Sequence, residues 1–138
     1  MGLDEQLWGA FLDRKVTAGD ATPATGSVEP RDPYQNQLER DYAAHLELRR
    51  KAGDVLRVSY EGVRLRIGWR RTKSGKLVAR YYTPDFHVQL ADGSIQLHEA
   101  KGFMREAAAV RLSACAELFP YPIFVVRRDG DGWTLSQV

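Results

Sequence analysis

Asp85 follows a proline and opens an apolar-alternating run, while Glu99 and Lys101 stand two apart near the end of the next run. Two carboxylates brought together offer hard oxygen donors to Mg²⁺, an ion that keeps several waters and takes phosphate oxygens as further ligands. The backbone carbonyl of Ala100, between Glu99 and Lys101, would add a third oxygen. Lys101 on the same strand would hold or deprotonate an attacking water. Such a set would suit an ion that turns its remaining waters toward a substrate phosphate, provided that the two acids meet.

Their meeting depends on one turn. If Asp92-Gly93 is a two-residue turn, Asp85 faces Ala100 and Glu99 lies on the other face of the hairpin. If Ala91, Asp92 and Gly93 form a three-residue loop, with Gly93 left-handed in a G1 bulge, Asp85 faces Glu99 directly. Asp85, His87, Glu99 and Lys101 then share a face, and His87 becomes an accessory contact to a metal-bound water or a phosphate. A simpler reading pairs Lys101 with either acid in a surface salt bridge, worth well under ~1 kcal/mol.

A third acid favours the site. At a helical period Glu39 falls among Tyr42, Ala43 and Leu46 on the core-facing side, where a carboxylate without a partner is costly. Asp32-Pro33 suits an N-cap followed by the first helical position, for a helix running through Ala52 to a stop at Gly53. The alternative is a capping box with Asn36 as N-cap and Glu39 three residues on, which starts the helix four residues later.

The elements around these residues read as one domain. The chain has 138 residues and 43% hydrophobic content, enough for a single core. Residues 3–15 suit a short amphipathic helix and residues 16–31 a flexible linker, so an N-terminal arm over 1–31 precedes a domain over 32–138. Apolar and polar residues alternate through residues 55–71 and 76–82, as in half-buried strands, with a turn at residues 72–75. Met104, Ala108, Leu112, Cys115 and Phe119 fall within one arc of a second helix over 104–119. Pro120 and Pro122 end it, residues 123–126 form a buried strand, and residues 132–138 add an edge strand. The expected class is α/β, with a central mixed sheet flanked by helices.

Charge points to a polyanion. Arg57, Arg64, Arg66, Arg70, Arg71, Lys73, Lys76 and Arg80 lie within residues 57–80 against the single acid Glu61, in a chain of net charge +2. Trp69, Tyr81 and Tyr82 beside them offer rings that stack on bases or sugars. A solvated strand face is the plainer reading. Arg105 and Arg111, at the start and border of the second helix, are further candidates for a phosphate, although a solvated role suits them as well. His45 and His98 show no ligand spacing. Cys115, the only cysteine, excludes an intramolecular disulfide and a Cys-rich zinc cluster, and its place in the apolar arc makes it packing. No apolar run is long enough to span a membrane or act as a leader, so the expected compartment is cytoplasmic.

Pro84-Asp85 with Glu99-Ala100-Lys101 resembles the motif of the PD-(D/E)xK nucleases, with an upstream helix acid, the Tyr-Thr-Pro-Asp-Phe strand entry, Glu-x-Lys-Gly and a following helix in the family's order. The likeness runs from about Asn36 to Val126 and is nearest to phage-type endonuclease I and Holliday junction resolvases. It also touches the nuclease subunit of some transposition systems. The resemblance implies a restriction-endonuclease-like core and a Mg²⁺-dependent endodeoxyribonuclease, with Mn²⁺ able to substitute, leaving 5′-phosphate and 3′-hydroxyl ends. It assigns metal to Asp85, Glu99 and the Ala100 carbonyl, water positioning to Lys101, and a second ion to Glu39. Arg64, Arg66, Arg70, Arg71, Lys73, Lys76, Arg80 and Arg105 would contact DNA, branched or double-stranded. A homodimer, strengthened by exchanged N-terminal arms, would cut both strands. A non-catalytic nucleic-acid-binding module, or a subunit of a transposition or packaging complex, are the competing classes.

Overall fold

The computed structural model describes residues 32–138. The expected N-terminal helix and linker of residues 1–31, and any exchange of that arm between protomers, lie outside the described residues.

Helix α1 spans Gln37–Ala52, four residues later than the Asp32-Pro33 signal suggests. Asn36 is its N-cap, and the Asn36 side chain accepts the Glu39 backbone N–H at 2.9 Å. Asp32 instead accepts the N–H of Tyr34 at 3.0 Å, a local turn that competes with helix entry. Gly53 ends α1 in the left-handed region at φ 92°, where glycine carries no Cβ penalty.

The strands are β1 (Val55–Tyr60), β2 (Leu65–Arg71), β3 (Leu77–Tyr82), β4 (Phe86–Leu90), β5 (Ile95–Ala100), β6 (Ile123–Asp129) and β7 (Gly132–Gln137). Helix α2, Glu106–Leu118, joins β5 to β6. The main sheet has the order β1-β4-β5-β6-β7, parallel between β5 and β6 and antiparallel elsewhere. The class is therefore α/β with a mixed five-stranded sheet, and β7 forms an edge as the sequence suggests.

One part of the alternating stretch departs from a continuous sheet. Glu61, at φ 47°, and Gly62 interrupt it, and β2 and β3 pair only with each other. A Cβ on Gly62 would lie 2.5 Å from the Cβ of Ser59, so the turn needs glycine there. The Glu61 N–H donates to the Asp85 carbonyl at 2.8 Å, which ties this corner to the entry of β4.

Side-chain alternation divides the core between the two faces of the sheet. Tyr42 and Leu46 of α1 pack with Val55, Phe86, Val88, Ala100 and Val126. On the other face Leu112 and Cys115 of α2 pack with Tyr82, Leu97, Ile123 and Val125, and Leu65 and Ile67 of the ribbon join them. Among the described residues no helix is long and apolar enough to cross a membrane.

Candidate active site

The hairpin takes the register that brings the acids together. His87 pairs with Leu97, Val88 with Gln96 and Gln89 with Ile95, around a loop of Ala91, Asp92 and Gly93. Leu90 N–H donates to the Ser94 carbonyl and Gly93 N–H to the Leu90 carbonyl, both at 2.9 Å. Gly93 has φ 86°, as a left-handed third loop residue requires. Asp92 accepts the N–H of Ser94 at 2.9 Å and closes the turn. Extending this register by one pair sets Asp85 against Glu99.

Both acids are buried, Asp85 at 7% and Glu99 at 6% exposure. Asp85 Oδ2 accepts the Ala100 N–H at 2.9 Å, and Glu99 Oε2 accepts the Asp85 N–H at 3.4 Å. The Tyr82 hydroxyl donates to Glu99 Oε2 at 2.5 Å. Lys101 Nζ lies 3.1 Å from Glu99 Oε1. The ion pair of the simpler reading therefore exists, but its acid is buried and a second buried carboxylate stands beside it.

Electrostatics follow from that crowding. Burial, and then the charge of Glu99, raise the Asp85 carboxyl to about 7, against the pull of Lys101 and of the Ala100 N–H. Burial and Glu99 likewise raise the Tyr82 phenol, keeping it a donor. Burial alone would lower Lys101, but the charge and hydrogen bond of Glu99, with Asp85 and Glu39 behind it, hold it above the usual lysine value. Lys101 is thus held as an ammonium near neutrality.

Glu39 is 2% exposed and well partnered. Its Oε2 accepts from the Gln35 N–H at 3.0 Å and the Tyr60 hydroxyl at 2.7 Å, and its Oε1 from Asn36 Nδ2 at 2.8 Å. The capping arrangement is thus realised. Even so, its charge reaches both Asp85 and Lys101. Among the described residues no three Asp, Glu, His or Cys side chains cluster closely enough to hold one ion together.

The donor set still suits a hard cation. Two buried carboxylates share one lysine, so Asp85 holds its proton part of the time near neutrality, and a hard cation could take that proton's place. The Ala100 N–H points at Asp85, and in a strand a residue's carbonyl lies on the same side as its N–H, so that carbonyl is turned toward the acids.

Other candidate residues are dispersed. His87 lines a small cavity of about 190 Å³ with Val63, Leu65, Ile95, Leu97 and Tyr121, and it has no hydrogen bond to either acid. Arg80 and Arg111 line one open cavity with Glu106, Ala107 and Val110. Arg105 is the N-cap of α2 without a side-chain cap bond. Arg64, Arg66, Arg70, Arg71, Lys73 and Lys76 are exposed on or beside the β2–β3 ribbon and its tip. Tyr82, expected to stack on bases, is buried at 8% exposure with its hydroxyl on Glu99. Sequence reasoning missed Tyr60 and Tyr82 as partners of the acids; the signal was there in Tyr82, three residues before Asp85 and opposite in alternation to Tyr81.

The chain matches no family model, no curated protein and no solved structure.

Proposed function

We propose that the domain is a Mg²⁺-dependent DNA endonuclease of the PD-(D/E)xK type. The observation that carries this reading is the opposed pair Asp85 and Glu99, buried side by side at the mouth of β4 and β5 with Lys101 bonded to Glu99. Burying two carboxylates against each other is expensive, and stability alone gives no reason to retain them. Asp85, Glu99 and the Ala100 carbonyl would hold the ion, with Glu39 acting on it electrostatically or through water. Bound there, Mg²⁺ supplies Lewis-acid polarisation of the phosphate and a lowered pKa for its water.

The chain's own groups do the rest. Lys101 presents a fixed ammonium where negative charge grows on the phosphoryl oxygens, and it orients the attacking water. Tyr82 fixes the Glu99 carboxylate by its hydroxyl, and the Ala100 N–H fixes Asp85, so neither acid must reorganise when substrate arrives. The basic ribbon supplies phosphate contacts for the duplex or branch on either side of the scissile bond. Cleavage assays with Mg²⁺ and with EDTA, on four-way junction, flap, duplex and single-stranded DNA, test the proposal. Metal-dependent nicking supports it. Binding that is as strong or stronger without metal, with no cleavage of any substrate, would make the domain a binding module instead.

A further inference from the structure

The outer face of the β2–β3 ribbon, turned away from α2, holds rings and cations that phosphodiester chemistry does not need. Arg66 pairs with Tyr81, Gly68 with Arg80 and Trp69 with Ala79, so Ile67 is the extra residue of a β-bulge. Strict alternation along β2 would put Arg64, Arg66 and Arg70 on one face and Trp69 and Arg71 on the other. The bulge, with Gly68 at φ 153°, reverses the sides beyond it. Trp69 and Arg71 consequently join Arg64, Arg66 and Tyr81 on the outer face, while Ile67 and Tyr82 pack into the core.

On that face the Arg64 guanidinium lies over the Tyr81 ring, 4.0 Å from its centroid, and the Arg66 guanidinium over Trp69 at 5.1 Å. Trp69 is 54% exposed and Tyr81 42%. Among the described residues no acid forms an ion pair with Arg64, Arg66, Arg70, Arg71, Lys73 or Lys76. Cations left without carboxylate partners, alternating with exposed rings, complement a ligand that has both regular negative charge and flat apolar faces.

We propose that this face is a stacking platform for unpaired nucleotides of a DNA strand. Bases stack on the rings or on the guanidinium planes above them, whatever the sequence, and the surrounding arginines and lysines neutralise phosphates. A duplex hides its base faces, so the rings would find nothing there to stack on. The inference deepens the nuclease reading by naming unpaired or branch-point DNA as the substrate class, and it rests on residues separate from Asp85 and Glu99.

The test uses the full chain in EDTA, so that nothing is cut, with fluorescence anisotropy at one fixed salt concentration. The probes are an oligothymidylate, an abasic sugar-phosphate strand of the same length and charge, and a blunt duplex. The platform predicts oligothymidylate bound at least about ten-fold more tightly than the abasic strand. Trp69→Ala with Tyr81→Ala should lose at least about ten-fold on oligothymidylate and under about three-fold on the abasic strand, and Trp69→Phe with Tyr81→Phe should recover most of the loss. Equal wild-type affinity for the two strands, or no binding to either, overturns the proposal without recourse to any variant. A preference for the blunt duplex overturns it too, by reducing the face to phosphate contacts. Cleavage in Mg²⁺ is scored separately, so a chain that prefers unpaired bases yet cuts nothing keeps the platform and loses the nuclease.

Discussion

Asp85 and Glu99 each hold the other's strand: the Ala100 N–H donates to Asp85 Oδ2 at 2.9 Å, and the Asp85 N–H to Glu99 Oε2 at 3.4 Å. The reciprocal bonds lock two carboxylates into mutual repulsion inside the fold. A cation between or beside them would relieve that repulsion.

Mg²⁺ should therefore raise the thermal midpoint of the wild type and leave that of Asp85→Asn unchanged. At a concentration about 100 times the dissociation constant, the linkage is worth about 2.7 kcal/mol. In EDTA the variant should melt no lower than wild type, because a neutral amide replaces a carboxylate crowded by Glu99. Paired melts with EDTA and with MgCl₂ check both statements. Equal Mg²⁺ shifts in the two proteins would remove Asp85 from the metal site.

Gly93 sets the register that opposes the two acids. It sits at φ 86°, and a Cβ at this position would have nothing within 4 Å, so Gly93→Ala meets conformational strain and no clash. The expected loss is about 1–2 kcal/mol in urea denaturation, with Gly93→Asn losing less because asparagine visits the left-handed region more readily. An alanine variant as stable as wild type would contradict the left-handed loop.

Tyr42 and His98 form a second buried pair, on the α1 face of the sheet. The Tyr42 hydroxyl lies 2.7 Å from His98 Nδ1, and His98 Nε2 lies 2.9 Å from Gln96 Oε1. The amide oxygen only accepts, so the neutral His98 ring donates from Nε2 to Gln96 and accepts the hydrogen bond of the Tyr42 hydroxyl at Nδ1. Burial, the largest influence, with Arg49 adding to it, lowers His98 to about 4, consistent with a neutral ring. Tyr42→Phe leaves Nδ1 without a donor and should cost about 1–3 kcal/mol by denaturant titration. An unchanged midpoint would show that the bond contributes nothing.

The basic ribbon makes a separate prediction. Exchanging Arg64, Arg66, Arg70 and Arg71 together for Gln should weaken DNA binding broadly and flatten its salt dependence, by roughly 0.9 for each phosphate no longer neutralised on duplex and 0.7 on single strands. Binding isotherms at several salt concentrations read the slope directly. A slope equal to wild type would return these arginines to a merely solvated face.

The local rules that were legible in the sequence are those of the hairpin. Sequence narrowed the register to two, a two-residue Asp92-Gly93 turn or a three-residue loop from Ala91 to Gly93, and the pairing of His87 with Leu97 selects the loop that opposes Asp85 and Glu99. Helix α2 was equally legible, because Leu112 and Cys115 recur at its period and both are buried. Two features were not. Asp32-Pro33 and Asn36-x-x-Glu39 are both valid helix starts, and a partner of the second, the Tyr60 hydroxyl that joins the capping bonds on Glu39, lies twenty-one residues away where no local pattern shows it. The ribbon's separation from the main sheet rests on Glu61 and Gly62, and the facing of Trp69 on the Ile67-Gly68 bulge. A bulge leaves little trace in an alternating pattern, since one extra residue shifts the sides without changing the composition.

The most direct measurement of the central claim is cleavage of a labelled four-way junction, flap and duplex by wild type, Asp85→Asn, Glu99→Gln and Lys101→Ala, each first shown to be folded by circular dichroism. Wild type should nick in Mg²⁺ or Mn²⁺ and not in EDTA, and each variant should fall by at least about a hundred-fold. Wild-type-like cleavage by folded Asp85→Asn or Glu99→Gln, or no cleavage of any substrate by wild type with either metal, would contradict the nuclease assignment.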